Sequence, residues 1–228
     1  MQFVIPAPEQ PGIPVKGATA RFPVRRIFCV GRNYADHARE MGGDPTREPP
    51  FFFMKPAHAL VTGDAPVPYP PGTSNLHHEV ELVAAIGTAG RDIAVERALD
   101  HIWGYAVGND LTRRDLQGAA KGKGQPWEVG KAFDHSAPVS ALIPVAEAEH
   151  PAKGAIRLSV NGAVRQQGDL SDMTWNVAEV IAHLSRLFEL RPGDLIFTGT
   201  PAGVGAVTAG DEMVAEIEGI GRLVTRVE

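Results

Sequence analysis

The chain has 228 residues, 43% hydrophobic and 21% charged, with a formal net charge of −5 at neutral pH. That balance is ordinary for a soluble globular fold with a sizeable core, and it excludes a basic nucleic-acid-binding surface. No apolar run approaches the ~20 residues a membrane span requires, and the single cysteine, Cys29, excludes an intrachain disulfide and suits a reducing cytosol.

Residues 1–24 are proline-rich and read as an N-terminal arm with one short strand, ahead of one larger domain over 25–228. Met1-Gln2-Phe3-Val4-Ile5-Pro6 lacks the basic and long apolar regions of a signal peptide, so a cytoplasmic location is expected. Residues 26–31 form an apolar strand that carries Cys29 as a core residue, and Asn33 is the expected N-cap of a helix over 34–41 that Gly42-Gly43 would end. A short strand lies between the prolines of 49–56, followed by an irregular proline-rich connection over 62–76. Helix is expected over 95–101, strand over 102–108 and helix again over 112–120. Strands at 155–160 and 163–168 flank an Asn161-Gly162 hairpin turn, and 177–188 is the clearest amphipathic helix, with Asn176 as its N-cap. Strands at 194–198, 212–217 and 221–227 complete the chain. Many strands, few short helices and no regular βα alternation predict an α+β fold that is mainly β.

The densest chemistry is in His78-Glu79-Val80-Glu81-Leu82. On a strand, residues two apart share a face, so Glu79 and Glu81 project together while Val80, Leu82, Ala84 and Ile86 turn to apolar packing. Adjacent carboxylates repel unless they share a proton or a cation, and oxygen-only ligands suit a hard divalent ion. A solvated acidic strand face is the plain alternative. Asp110, after the apolar strand ending at Gly108-Asn109, is either a third ligand or a helix N-cap, and His77 shares the parity of the pair, which admits a His/Glu/Glu site.

Other stretches add to this. His37 and Glu40 are three apart on the predicted helix and face each other, as a carboxylate-oriented base or as a surface pair. Arg32 stands in the Gly31-Arg32-Asn33 turn just before them, where backbone meets ligand. Lys131 lies in the otherwise apolar Val129-Gly130-Lys131-Ala132-Phe133, so its ammonium is expected to be buried or to face a substrate. Asp194 opens a strand that runs into Thr198-Gly199-Thr200-Pro201-Ala202-Gly203-Val204-Gly205, whose backbone N–H groups suit a carboxylate or phosphate if the loop is more than a turn.

Taken together, Gly31-Arg32-Asn33-Tyr34-Ala35-Asp36-His37, His78-Glu79-Val80-Glu81-Leu82, Asn109-Asp110-Leu111-Thr112-Arg113-Arg114-Asp115, Lys131-Ala132-Phe133-Asp134 and Phe197-Thr198-Gly199-Thr200-Pro201-Ala202-Gly203-Val204-Gly205 resemble the fumarylacetoacetate hydrolase family, in family order. The short length resembles its acylpyruvase and fumarylpyruvate hydrolase branch. The resemblance implies a mixed β-sandwich roll, a Mg2+ or Mn2+ ion (with Ca2+ as a substitute in a crystal), a homodimer and a small anionic 2-oxo acid substrate. It implies that Glu79, Glu81 and Asp110 hold the metal, that His37 and Glu40 activate water, and that Lys131 and Gln117 meet the substrate's oxygens or the oxyanion. Arg32, Arg114 and Thr200 are implied as substrate contacts. The implied reaction is hydrolytic C–C cleavage of a 2,4-dioxo acid, best fumarylpyruvate, to pyruvate and a carboxylic acid. Oxaloacetate decarboxylation, or isomerisation of a 2-hydroxymuconate-type acid, are its rivals on the same site.

Overall fold

The computed structural model describes residues 3–40, 48–63 and 65–228. The fold is mainly β with few short helices, as expected. Its centre is a mixed sheet in the order Phe51–Lys55, Arg26–Gly31, Asp194–Phe197, Val80–Ile86, Ile102–Asn109, Ala137–Val139 and Leu60–Thr62, with Ile143–Pro144 also paired to Ile102–Asn109. Asp194–Phe197 runs parallel to Arg26–Gly31 and antiparallel to Val80–Ile86.

Val80–Ile86 is buried along its whole length, and its period of two feeds two cores. Val80, Leu82, Ala84 and Ile86 face a core shared with Ile156, Leu158, Met213 and Leu223 of a second, four-stranded sheet and with Val180, Ile181 and Leu184 of the helix Val177–Leu187. Val83 and Ala85 face the other core, with Ile27, Cys29 and Phe197. The helix starts as its sequence indicates: Asn176 accepts from Glu179 N–H and the Glu179 side chain accepts from Asn176 N–H, a reciprocal cap. Asn161 and Gly162 both take positive φ (51° and 81°), as a tight hairpin between twisted strands requires. Cys29 is fully buried, and burial pushes its thiol pKa up, which suits its reading as a core residue.

Four local expectations need correction. The N-terminal arm carries two strands, Gly12–Pro14 and Arg21–Pro23, because Ile13 and Phe22 bury their side chains in the second core and need a hairpin to arrive together. The helix after Gly31 spans Ala35–Glu40, and Asn33 does not cap it. Instead Asn33 is buried and spans two other segments: its Oδ1 accepts from Trp175 N–H, and its Nδ2 donates to the carbonyls of Trp175 and Thr198. The expected end of that helix, Met41 and Gly42-Gly43, lies outside the described residues. The helix expected over 112–120 begins at Arg114 after a two-residue strand, Thr112–Arg113, with Arg113 in the cap position, so Asp110 is three residues too early to cap it. Finally, the strand around Glu79 is broken there into Leu76–His78 and Val80–Ile86. The first piece joins Gly205–Val207 and Thr112–Arg113 in a separate small sheet.

Candidate active site

Two strand ends create the acidic centre. Glu79 N–H donates to Asn109 Oδ1 (3.0 Å), and Asp110 N–H donates to the Glu79 carbonyl (2.8 Å). The ends of the neighbouring strands Val80–Ile86 and Ile102–Asn109 are thereby locked, and Asp110 comes beside the glutamate pair. One carboxylate oxygen from each of Glu79, Glu81 and Asp110 lies within 4.8 Å of the others, and all three residues are buried. The triad is therefore able to bind a divalent metal ion. His77 is not among its ligand atoms: His77 Nε2 meets Asn75 Oδ1 at 2.9 Å, and burial followed by the Arg114 charge lowers its pKa to about 4.

Three cations, Lys131, Arg114 and Lys55, meet the triad. Lys131 Nζ donates to Glu79 Oε2 (2.7 Å) and Asp110 Oδ2 (2.8 Å), and Arg114 Nη2 donates to Glu79 Oε1. Burial alone would raise the Glu79 pKa, but the charges of Lys131 and Arg114 outweigh it and hold the carboxyl well below its usual range. Burial would likewise lower that of Lys131, yet Asp110 and Glu79 keep it raised. Glu81 behaves oppositely. Burial, then the charges of Asp110 and Glu79, push its pKa up, although Gly199 N–H donates to its Oε2 at 2.7 Å. Asp110 Oδ1 is buried and accepts no hydrogen bond, although Lys55 Nζ forms an ion pair with it at 2.8 Å. Three converging carboxyls, one of which resists ionising, suit a hard cation bound by oxygens.

His37 and Glu40 meet as expected, with Nδ1 and Oε2 3.2 Å apart and His37 buried. A carboxylate only accepts, so Nδ1 carries a proton, and it is the neutral form of the ring that offers a lone pair at Nε2. Gly203 N–H donates to both Glu40 oxygens, at 3.1 and 3.2 Å. The glycine-rich loop thus does bind carboxylates through its backbone, but those at Gly199 and Gly203 belong to the protein itself. Gly203 sits at φ 96°, and a Cβ there would lie 2.1 Å from the Arg165 carbonyl oxygen, so only glycine brings the loop this close.

One pocket gathers nine of the ten residues singled out in the sequence: Arg32, His37, Glu79, Glu81, Asp110, Arg114, Gln117, Lys131 and Thr200. Glu40, the tenth, is not part of that lining and meets His37 Nδ1 instead. Arg114 is held tightly: besides Glu79, its Nη1 donates to Gln117 Oε1 (2.6 Å) and its Nε to His77 Nδ1 (3.4 Å). Arg32 takes a left-handed φ of 58° at the pocket edge.

Sequence reasoning overlooked Lys55, Gln166 and the aromatic wall of Phe53 and Trp127, whose rings lie 5.9 Å apart. Lys55 ends the apolar run Phe51–Lys55, the same signal that singled out Lys131. Its Nζ donates to the carbonyls of Leu111 (3.1 Å) and Lys131. Gln166 had no signal, because its strand is otherwise mostly exposed.

Known proteins bear on this arrangement. A family profile described as "Fumarylacetoacetate (FAA) hydrolase C-terminal" matches residues 26–228. The crystal structure of fumarylpyruvate hydrolase from Pseudomonas aeruginosa, in complex with Mn2+ and pyruvate, superposes with a TM-score of 0.97 at 55% identity, over 99% of each chain. Fumarylpyruvate hydrolase of Ralstonia sp is 46% identical over 79% of this chain and 93% of its own. Oxaloacetate tautomerase YcgM of Escherichia coli (strain K12) is 45% identical over 93% of this chain and 96% of its own. Among the described residues, no helix is long and apolar enough to cross a membrane.

Proposed function

The chain belongs to the fumarylacetoacetate hydrolase family, and from that premise we propose that it is a divalent-metal-dependent hydrolase. Its substrate is a 2,4-dioxo acid, best fumarylpyruvate, and its products are pyruvate and a carboxylic acid, here fumarate. The observation that carries this reading is the His37–Glu40 pair sharing one pocket with the Glu79, Glu81 and Asp110 carboxylates. The near-full-length likeness to a fumarylpyruvate hydrolase supports the choice of substrate.

Glu79, Glu81 and Asp110 would hold Mg2+ or Mn2+, which when bound supplies Lewis-acid polarisation and charge compensation for the oxygens of the 2-oxo acid. Arg32, Gln117 and Thr200 orient the substrate along the pocket wall. Glu40 holds the Nδ1 proton of His37, and Nε2 removes a proton from water, whose oxygen adds to C4. The Lys131 ammonium stabilises the oxyanion that forms there. Its collapse restores the C4 carbonyl and breaks the C3–C4 bond, the electron pair leaving with the pyruvate half. The proton held by His37 then goes to C3, so the elements of water are divided between the two products.

A second reading is favoured by the relative named as an oxaloacetate tautomerase. Tautomerisation moves only a proton and releases no second acid. The deciding experiment incubates the protein and its His37→Ala variant with fumarylpyruvate, acetylpyruvate and oxaloacetate, in Mg2+ or Mn2+, and identifies products. Pyruvate with stoichiometric fumarate, lost in His37→Ala, supports the hydrolase. Interconversion of oxaloacetate tautomers with no cleavage of either acylpyruvate overturns it.

A further inference from the structure

Gln166 comes from the outer sheet, on Ala163–Asp169, yet its side chain is fully buried against the strand and loop that form the pocket. Its Oε1 accepts from Val80 N–H (3.1 Å) and lies 2.8 Å from His78 Nδ1. Its Nε2 donates to the Pro201 carbonyl (2.9 Å) and to Thr200 Oγ1 (2.7 Å). The orientation of this amide is not arbitrary. A backbone N–H can only donate and a carbonyl can only accept, so Val80 and Pro201 fix which end is oxygen.

The consequence falls on Thr200, which lines the pocket. Its hydroxyl has one hydrogen and two lone pairs. Gln166 engages a lone pair, and among the described residues no acceptor takes the hydrogen. We propose that Gln166 is a positioning residue that holds Thr200 as a hydrogen-bond donor toward the pocket, and so selects a carboxylate at that point over a neutral group that must itself donate. Two close approaches fix the loop against this strand: a Cβ on Gly168 would lie 2.9 Å from Pro201 Cβ, and one on Gly203 would strike the Arg165 carbonyl. Thr200 therefore sits on a loop packed directly against the strand of Gln166. The inference rests on reading the pocket as a 2-oxo acid site.

The test compares pyruvate with pyruvamide, whose amide nitrogen donates, as ligands of the Mn2+-loaded protein by titration calorimetry. The wild-type chain is expected to prefer pyruvate at least tenfold, roughly the effect of one hydrogen bond to a charged group. Equal binding overturns the proposal without any variant. Gln166→Met, with Gln166→Leu as a second replacement of similar volume, is expected to cut that preference about tenfold. Thr200→Val should cut it similarly, and adding Gln166→Met to Thr200→Val should change it no further. An unchanged preference in a folded Gln166 variant, or an equal further loss in the Thr200→Val background, overturns the proposal. Binding of pyruvate requires no cleavage, so a chain that discriminates the two ligands but releases no product overturns the hydrolase reading alone.

Discussion

Lys55 Nζ lies 2.8 Å from Asp110 Oδ1, with both side chains shut off from solvent. The lysine belongs to the edge of the central sheet and the aspartate to the end of a strand several positions across it. Their meeting sets a third cation against the acidic triad, on the Asp110 oxygen that Lys131 does not engage. Such a pair is weak evidence of net stabilisation, but removing one member strands the other.

Lys55→Met should therefore destabilise the metal-free protein by about 3 kcal/mol. At 2–4 °C per kcal/mol for a chain of this size, the Tm falls by roughly 6–12 °C. A divalent ion replaces the lost charge, so Mn2+ should restore part of that Tm. Differential scanning calorimetry with and without chelator measures both, and an unchanged Tm in chelator contradicts this account of Asp110.

Metal itself should raise the Tm of the unaltered chain. An ion at a hundredfold excess over its Kd adds about 2.7 kcal/mol. Glu81→Gln and Asp110→Asn each remove a charged ligand atom and should lose most of this response. A full response in both variants would mean that the ion binds elsewhere.

If His37 is the base proposed above, His37→Ala lowers kcat by about 10²–10⁴-fold. Glu40→Gln should cost less, since the amide oxygen still accepts from His37 Nδ1 or from Gly203 N–H. Neither change touches the metal cradle, so both variants should keep the Mn2+-induced rise in Tm. Steady-state kinetics together with melting curves separate these effects. Wild-type turnover in His37→Ala removes it as the base.

Acid stability has an identifiable contributor far from the site. Asp211 accepts from Thr208 N–H (2.8 Å) and Asn161 Nδ2 (2.7 Å), and those bonds hold its pKa below the usual value. A depressed folded-state pKa contributes stability above the ordinary carboxyl pKa, and this is lost as pH falls through the folded value. Asp211→Asn should thus lower stability at neutral pH and flatten the fall below roughly pH 4. Urea midpoints from neutral to acid pH test this, and parallel curves for the two proteins count against it.

The metal triad was half legible in the chain. Glu79 and Glu81 are two apart, a spacing that extended backbone turns to one side, and they stay together although the strand itself begins only at Val80. His37 and Glu40 were legible for the same reason, being one helical turn apart. The helix at 177–187 announced itself by spacing and cap. Asn33 misled because a good capping residue was recruited by Trp175 and Thr198, partners 142 and 165 residues away. Asp110 stayed ambiguous for a like reason: the pairing of Thr112–Arg113 with Leu76–His78 delays the helix past capping range, and the pairing of Val80–Ile86 with Ile102–Asn109 brings Asp110 to the glutamates.

By itself, then, the sequence determined what short-range geometry can: the paired glutamates, the His37–Glu40 dyad, the mainly β character and a family pattern in ordered motifs. The tertiary structure decided which charges face one another. Lys55 reaches Asp110, Gln166 reaches Thr200, and two N–H groups of the glycine-rich loop turn to Glu40 and Glu81. None of these has a period, because they depend on which strands become neighbours. Burial makes them matter: away from water, an unpaired charge or donor costs free energy, so each must find its partner across the fold.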